Sequence, residues 1–510
     1  MLDTLAAALD PASAVLASAL AALWLSTPPR DTDALAFRAH RARHQALAST
    51  TRNRYESAVF RHPSTPHGLP LAQVPAIAGR AKSLWEVVET GLRGNNGKGE
   101  VVGEDGERIG FDAFLGRIVA VGSALTLMAS GAPVVIALPH ISVASESLFL
   151  ACLRQGIPVV TPTALTSTAL DDVVAVHQPR VLVVDASLAT TSAARNVDHV
   201  LVVGEYESLP KGATAWAAFV SQAASATVVD ATPVPGTDKT RAWCNDVPCA
   251  EALAAVAGLT GHWLRDERPL PGEVAAIDVG MAADDVTTRL LLWVYLAHGT
   301  SIHITPLTFP TTAATHIVLP TTRAASLAAD IARTARSLSW PTSSFITSHI
   351  RAVTRARTPL PWRDLAPLTR WACSSLRALV GPNTRTLIQV GTPVPFEDYE
   401  LVAAATTGVT WTRVWSPTPQ SVPVAMSAGA AVPAIDDTDK DVAVGSVLPH
   451  VEAVLKAKSD EVAARRVGEV SVRTMARPAW RAVGVDGCVT AHGVLRVARE
   501  VGKAKNGGKA

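Results

Sequence analysis

From Val101 to Val203 the sequence alternates short, wholly apolar runs with longer segments whose apolar residues recur at helical spacing. Val134–Leu138 (VVIAL), Val159–Val160, Val181–Asp185 (VLVVD) and Leu201–Val203 are runs of strand type. Between them, Phe111–Met128 places Phe114, Ile118, Val121 and Leu125 on one helical stripe. Ser142–Gly156 reads as a helix closed by its glycine, and Ala169–His177 as another. Strands that are apolar throughout and joined by helices predict a mostly parallel sheet covered on both faces. Ahead of this block, Asp105-Gly106 between Val101–Val102 and Arg108–Ile109 is a hairpin signal, and Ser83–Leu92 reads as a helix with Ser83 at its N-cap. Residues 100–330 should therefore hold a parallel sheet of about five strands.

A chain of 510 residues exceeds what one simple core serves and predicts at least two subdomains. With 48% hydrophobic and 18% charged residues it is globular and somewhat apolar rather than disordered. A formal charge of +2 gives no electrostatic case for binding nucleic acid. The cysteines (Cys152, Cys244, Cys249, Cys373, Cys488) are odd in number and scattered, which argues against a disulfide framework and fits a reducing, intracellular compartment. Cys244 and Cys249 are too far apart for a CxxC pair and no His/Cys cluster flanks them, which argues against a metal site.

Near the N-terminus, Ala12–Leu25 (ASAVLASALAALWL) is an uninterrupted apolar run, shorter than the roughly 20 residues a bilayer crossing needs. Asp3 and Asp10 stand where a secretory signal would be positive, so cleavage is not expected. A basic cluster follows: Arg30, Arg38, His40, Arg41, Arg43 and His44. An apolar helix followed by cations suits a cytosol-facing anionic membrane surface, with Trp24 at the interface, and residues 12–44 are the expected contact. The same residues also suit an Ala-rich helix packed on the body of the protein.

Further along, Glu251–Leu259 (EALAAVAGL) is rich in helix formers, with glycine only at its end. The stretch before it carries Pro233, Pro235, Gly236 and Pro248 and reads as a loop.

Several of these blocks together resemble the AMP-forming synthetase superfamily, and its long-chain fatty acyl-CoA synthetases in particular. Gly106–Pro162 is similar to the N-terminal half of adenylate-forming enzymes nearly end to end. Arg54–Leu71 resembles the entry segment of the long-chain enzymes, and Asp278–Ile304 a block ending at Gly299-Thr300. Gly445–Arg473 resembles the family's small β-rich region, with Gly468, Glu469 and Val470 matching, and Ala479–Gly487 matches at Trp480 and Gly484. The resemblance implies an α/β fold: an adenylate-forming (AMP-binding) N-terminal domain of two mostly parallel sheets layered with helices, plus a small β-rich subdomain. It implies boundaries at 1–50 for the apolar and basic segment, 51–235 and 236–435 for two α/β subdomains, 436–500 for the β-rich part and 501–510 for a Gly/Lys tail. It further implies ATP, Mg2+, CoA and a fatty acid as ligands.

Carried over residue by residue, the resemblance places a nucleotide site on Thr237, Lys239, Thr240, Gly391, Thr392, Pro393, Thr418, Asp486 and Arg499. Gly391, Thr392 and Pro393 match a turn that cradles adenine; glycine lets backbone approach a planar base and proline fixes the turn. Thr418 matches a phosphate-binding threonine. Asp486 stands one residue after the ribose-binding aspartate, whose own position falls on Val485, and Arg499 matches a hinge arginine.

The departures are equally specific. The family's phosphate loop falls on Pro235–Cys244 (PGTDKTRAWC), so its glycines and lysine fall on Thr240, Trp243 and Cys244. A phosphate cradle needs small residues so that backbone N–H groups converge on the anion. Asp238 opposes that by charge and Trp243 by bulk, while Lys239 and Arg241 still attract an anion. The family's metal-binding glutamate falls on Pro419, where no carboxylate is present and Gln420 is a poor ligand for Mg2+. A histidine that gates the family's acyl tunnel would fall near Ala282–Asp284, where there is none; His298 and His303 lie elsewhere. The chain ends at Ala510 where the family continues into a swinging lid, and GGKA is no known retrieval signal. Three readings follow: a catalytically impaired relative of fatty acid–CoA ligases that binds an acyl chain, acyl-CoA, a nucleotide or a protein partner; an active ligase with an unusual site; and a membrane-associated scaffold.

Overall fold

The computed structural model describes residues 56–57, 59–62, 83–94, 98–206, 208–226, 242–245, 247–263, 268–309, 314–338, 367–391, 406, 409–427, 441–457, 467–474, 477, 479–489 and 494–498. The expected membrane segment 12–44, the site residues Thr237, Lys239, Thr240, Thr392, Pro393 and Arg499, and the tail 501–510 lie outside the described residues.

Helix α1 (Leu84–Gly94) begins where the Glu86 N–H donates to Ser83 Oγ at 3.2 Å, the cap expected from the sequence. Strands β1 (Glu100–Val102) and β2 (Arg108–Gly110) pair as an antiparallel hairpin that turns through Gly106 at φ +80°, a conformation that favours glycine. Helix α2 (Phe111–Ala129) buries Phe111, Phe114, Ile118, Val121 and Leu125. Among the described residues it is the one helix long and apolar enough to cross a membrane, and half of it is buried within the protein. After β3 (Val134–Ala137), helix α3 (Val143–Gln155) is fixed at both ends. Ser142 and Ser145 exchange side-chain-to-backbone hydrogen bonds of 3.1 and 2.9 Å at its start, and Gly156 closes it at φ 64°.

There follow β4 (Val159–Val160), α4 (Ser167–His177), β5 (Val181–Asp185), β6 (His199–Val203), β7 (Ala213–Ala215) and α5 (Trp216–Ser225), then β8 (Ala242–Cys244), β9 (Val247–Pro248) and α6 (Cys249–His262). The strands form a seven-stranded sheet in the order β7-β6-β5-β3-β4-β8-β9, with every neighbour parallel except β8 and β9. This is the parallel sheet expected within residues 100–330.

Two local expectations are corrected here. The described residues just before α6 are strands rather than loop, because Trp243 and Cys244 are apolar and complete the sheet beside β4. Asn245 supports this placement: its N–H donates to the Val159 carbonyl at 3.1 Å, and its side chain accepts from the Thr161 N–H at 2.8 Å. Trp243 therefore occupies the core at 2% exposure, and its bulk does not stand in an anion-binding loop. Helix α6 also runs past Gly258 to His262, with Val256, Leu259 and Thr260 buried along it, and the absence of a β-carbon at Gly258 leaves room for the buried His450 ring.

The second sheet is built from β10 (Val274–Asp278), α7 (Val286–Ala297), β11 (Ser301–Thr305), β12 (His316–Pro320), α8 (Thr321–Ser337), α9 (Pro367–Val380), β13 (Thr386–Val390) and β14 (Thr410–Trp415). Strands β15 (Ala425–Met426), β16 (Asp441–Val447), β17 (Val451–Lys456), β18 (Val467–Thr474), β19 (Arg481–Val489) and β20 (Val494–Ala498) extend it antiparallel. Its order is β17-β18-β19-β20-β16-β15-β14-β13-β12-β10-β11-β1-β2, thirteen strands in all. From β1 through β14 in that order the neighbours are parallel; the β-rich part is antiparallel.

Strand alternation divides the apolar residues between layers. Val134, Ile136, Val181 and Val183 face the central core, while Val135, Ala137, Leu182 and Val184 pack with Leu170 of α4 on the outer face of the first sheet. In the second sheet, Ile277, Val318 and Ile388 face the same central core, and Ala276, Ile317, Leu319 and Leu387 pack under α8 and α9. Both sheets are thus covered on both sides, with the central core between them. Helix α7 lies in that core and is buried from Val286 to Leu296. The chain therefore has the α/β architecture expected from its sequence: two largely parallel sheets layered with helices, and a β-rich extension.

Candidate functional site

In a parallel sheet, loops after the strands diverge where successive connections leave to opposite sides, and a crevice opens there. In the first sheet β3 is followed by β4 on one side, while β5 lies on the other side and leads on to β6. In the second, β10 is followed by β11 on one side and β12 leads to β13 on the other. The loops leaving β3, β10 and β14 meet one another. The Ile141 N–H donates to the Met281 carbonyl at 3.1 Å and the Ala283 N–H to the Pro139 carbonyl at 3.3 Å. His140 and Ala282 form an antiparallel bridge between them. The Val286 N–H at the start of α7 donates to the Pro419 carbonyl at 2.8 Å.

The carboxylates around this junction are already engaged. Asp285 caps α7, accepting from the N–H groups of Thr287 and Thr288 at 3.0 and 3.4 Å and from Thr288 Oγ1 at 2.7 Å. Burial pushes its carboxyl up to about 6, with the Thr288 and Thr287 hydrogen bonds opposing the rise. Asp284 is half-buried; burial raises its carboxyl, while hydrogen bonding, the Arg289 charge and Gln420 oppose this. Asp278 ends β10 with Oδ1 accepting from the Gly280 N–H at 2.7 Å and Oδ2 facing Arg323 Nε at 3.4 Å.

Beneath the loops, Arg289 of α7 is fully buried. Its Nε donates to Glu146 Oε1 of α3 at 3.0 Å, its Nη2 donates to the Ala283 carbonyl, and its guanidinium lies 3.3 Å from the centre of the Phe149 ring. Trp293 Nε1 donates to the other Glu146 oxygen at 3.2 Å. Burial raises the Glu146 carboxyl, and Arg289 opposes that rise. A second buried polar chain lies at the end of β13. Arg413 Nε donates to Gln389 Oε1 at 3.3 Å, Gln389 Nε2 donates to Thr321 Oγ1 at 3.2 Å, and Thr321 Oγ1 donates to the Val390 carbonyl at 3.1 Å.

Among the expected site residues, Gly391 follows β13 at φ +113°, a backbone conformation that favours glycine. Thr418 is exposed in the loop after β14, where its N–H donates to Ser421 Oγ at 3.1 Å and its carbonyl accepts from the Ser421 N–H at 3.1 Å. Asp486 is exposed in β19 opposite Glu469, in the antiparallel extension rather than in the converging loops. His298 caps the end of α7, with Nδ1 2.8 Å from the Val294 carbonyl, and His303 lies in β11 with Nε2 3.6 Å from Glu100.

Among the described residues, those at the step after Thr418 do not fit a bound Mg2+. Pro419 offers only a carbonyl, which accepts from the Val286 N–H, and Gln420 is engaged by Asp284. No group of three His, Cys, Asp or Glu side chains among the described residues is placed to hold a metal ion.

Sequence reasoning missed His140, which the β3 loop brings beside Ala282, and the Glu146–Arg289 pair. A charge inside each of two otherwise apolar helical runs is the signal that could have found the pair, since a buried ion needs a partner.

No protein-family model matches the sequence, and no curated protein matches it significantly. Solved structures match the fold. One is the N-terminal domain of FACL13 from Mycobacterium tuberculosis, with TM-score 0.55 and 12% identity, covering 82% of this chain and 100% of that one. Another is coronafacic acid ligase from Pectobacterium brasiliense, at 0.53 and 14%, covering 82% and 78% respectively. A third is the luciferase-like enzyme of the mealworm Zophobas morio, at 0.56 and 12%, covering 83% and 97%. The fold is that of the N-terminal domain of adenylate-forming enzymes.

Proposed function

We propose that this chain is a catalytically impaired relative of long-chain fatty acid–CoA ligases that binds its ligand without metal-assisted adenylation. The observation that carries the reading is the Pro419–Val286 hydrogen bond of 2.8 Å. At the step after Thr418, where the resemblance puts a metal-binding carboxylate, the chain has a proline whose carbonyl instead caps a buried helix. Positioning and charge stabilisation in phosphoryl chemistry need such ligands together. In this reading the ligand is a fatty acid, an acyl-CoA, a nucleotide or a protein partner, and residues 12–44 bring the chain to a cytosol-facing membrane.

A second reading, an active ATP-dependent ligase, is favoured by Gly391. Its φ of +113° just after β13 is a conformation that favours glycine, the residue the resemblance puts in an adenine-cradling turn.

Calorimetry with ATP and Mg2+, with and without palmitate, separates the two. Palmitate binding without pyrophosphate release supports the impaired binder. Micromolar ATP binding with pyrophosphate release supports the ligase. Binding of neither leaves a membrane-associated scaffold, and pulldown of a protein partner is then the next test.

A further inference from the structure

We infer that Arg289 is a positioning residue that holds the converging loops in register from inside the lobe junction, so that the ligand site depends on a side chain no ligand touches. The inference builds on the ligand-binding reading above, but its first readout does not require a ligand.

The geometry is that of a bolt. Helix α3 belongs to the first sheet's layer and α7 follows β10 of the second. The Glu146–Arg289 pair joins them at 3.0 Å with side chains 1% and 0% exposed. The same guanidinium donates through Nη2 to the Ala283 carbonyl, which lies in the loop leaving β10. Ala283 in turn donates its N–H to Pro139 at 3.3 Å, and two residues earlier Met281 accepts from Ile141. Arg289 therefore holds the residue that makes one of the two hydrogen bonds knitting the β3 loop to the β10 loop, two residues from the one that makes the other. The Phe149 ring against its face and Trp293 on Glu146 leave the pair little freedom to re-form elsewhere. Nη1 is buried without a hydrogen-bond partner in the structure. An ion pair kept in a core with one donor unmatched is not explained by stability, because apolar residues of similar size often serve at least as well there. The hold on Ala283 is what an apolar pair could not supply.

That contrast supplies the test. Three full-length variants are compared with the wild type: Arg289→Met, Glu146→Met, and both together. Each single variant leaves one buried charge uncompensated and should lower the melting temperature. The double variant removes both charges and should recover part of it, the Trp293 N–H and the Ala283 carbonyl having lost these partners. Hydrogen exchange at the Ile141 and Ala283 amides is read in the double variant and the wild type, and palmitate affinity is read by calorimetry.

The positioning role predicts that the double variant is more stable than either single variant while those two amides exchange at least about tenfold faster than in the wild type, and that palmitate binds about tenfold more weakly. Recovery of stability with wild-type protection of both amides would overturn the inference, leaving the pair a purely structural contact. Failure of the wild type to bind palmitate would count against the functional reading instead, and the exchange data would still decide the role of Arg289.

Discussion

The indole rings of Trp243 and Trp293 lie 4.7 Å apart, centre to centre, at an interplanar angle of 59°, and both are buried. One comes from β8 of the first sheet and the other from α7, which crosses between strands of the second. The contact therefore ties the strand before α6 into the common core, where a loop had been expected.

Replacing Trp243 with alanine should cost about 3–5 kcal/mol, the usual price of removing a fully buried large aromatic. Urea unfolding followed by circular dichroism gives the number. A loss below about 1 kcal/mol would mean that β8 is not part of the core.

Gly258→Ala should destabilise the protein by about 1–3 kcal/mol, although the same change in an exposed helix stabilises by up to about 1 kcal/mol. A β-carbon at this position would overlap the His450 imidazole. The ring is fully buried and so has little room to move aside, and burial pushes it down to about 3, which keeps it neutral. Adding His450→Ala should restore part of the loss, giving a non-additive double-mutant cycle; strict additivity would show that the two residues do not touch.

Asp285 predicts a pH signature. Its carboxyl stands at about 6 in the folded chain against an ordinary value near 3.8. The folded state thus holds the proton more tightly than the unfolded one. The contribution is fully present below about pH 4 and is lost as pH rises through about 6, at most about 3 kcal/mol. Asp285→Asn keeps a capping oxygen and cannot titrate. Subtracting its stability curve from the wild-type curve between pH 4 and 7 should isolate this slope; parallel curves would show no shift at this group.

Glu273 predicts the opposite sign. Burial alone would raise its carboxyl. The His316 hydrogen bond at 2.9 Å, the Leu270 N–H and the charges of His316 and Arg385 outweigh burial and hold it below the ordinary carboxylate range. Its contribution is present above the unfolded value and lost as pH falls through the folded one. Glu273→Gln should therefore weaken the protein at pH 7, with the deficit vanishing in acid. A deficit that persists unchanged at pH 3 would assign the effect to packing.

The sequence by itself determined the layers. The apolar runs Val134–Leu138 and Val181–Asp185 read as strands buried on both faces, and the residue period of two then sends neighbours such as Val183 and Val184 into different cores. Caps such as Ser83 and Gly156 were equally legible, because they act within one turn of chain.

What only the tertiary structure decided involves partners far apart in sequence. Nothing local to Pro419 says that its carbonyl will cap Val286. Nothing near His140 places it beside Ala282, and nothing near Trp243 places it against Trp293. Arg289 announced a need for a partner, but its choice of Glu146, 143 residues away, follows from how two sheets pack on one set of helices. Local chemistry fixes what a segment becomes, because its hydrogen bonds close within a few residues. Which loops share a junction is fixed by burying both sheets on one core, and that is a property of the whole chain.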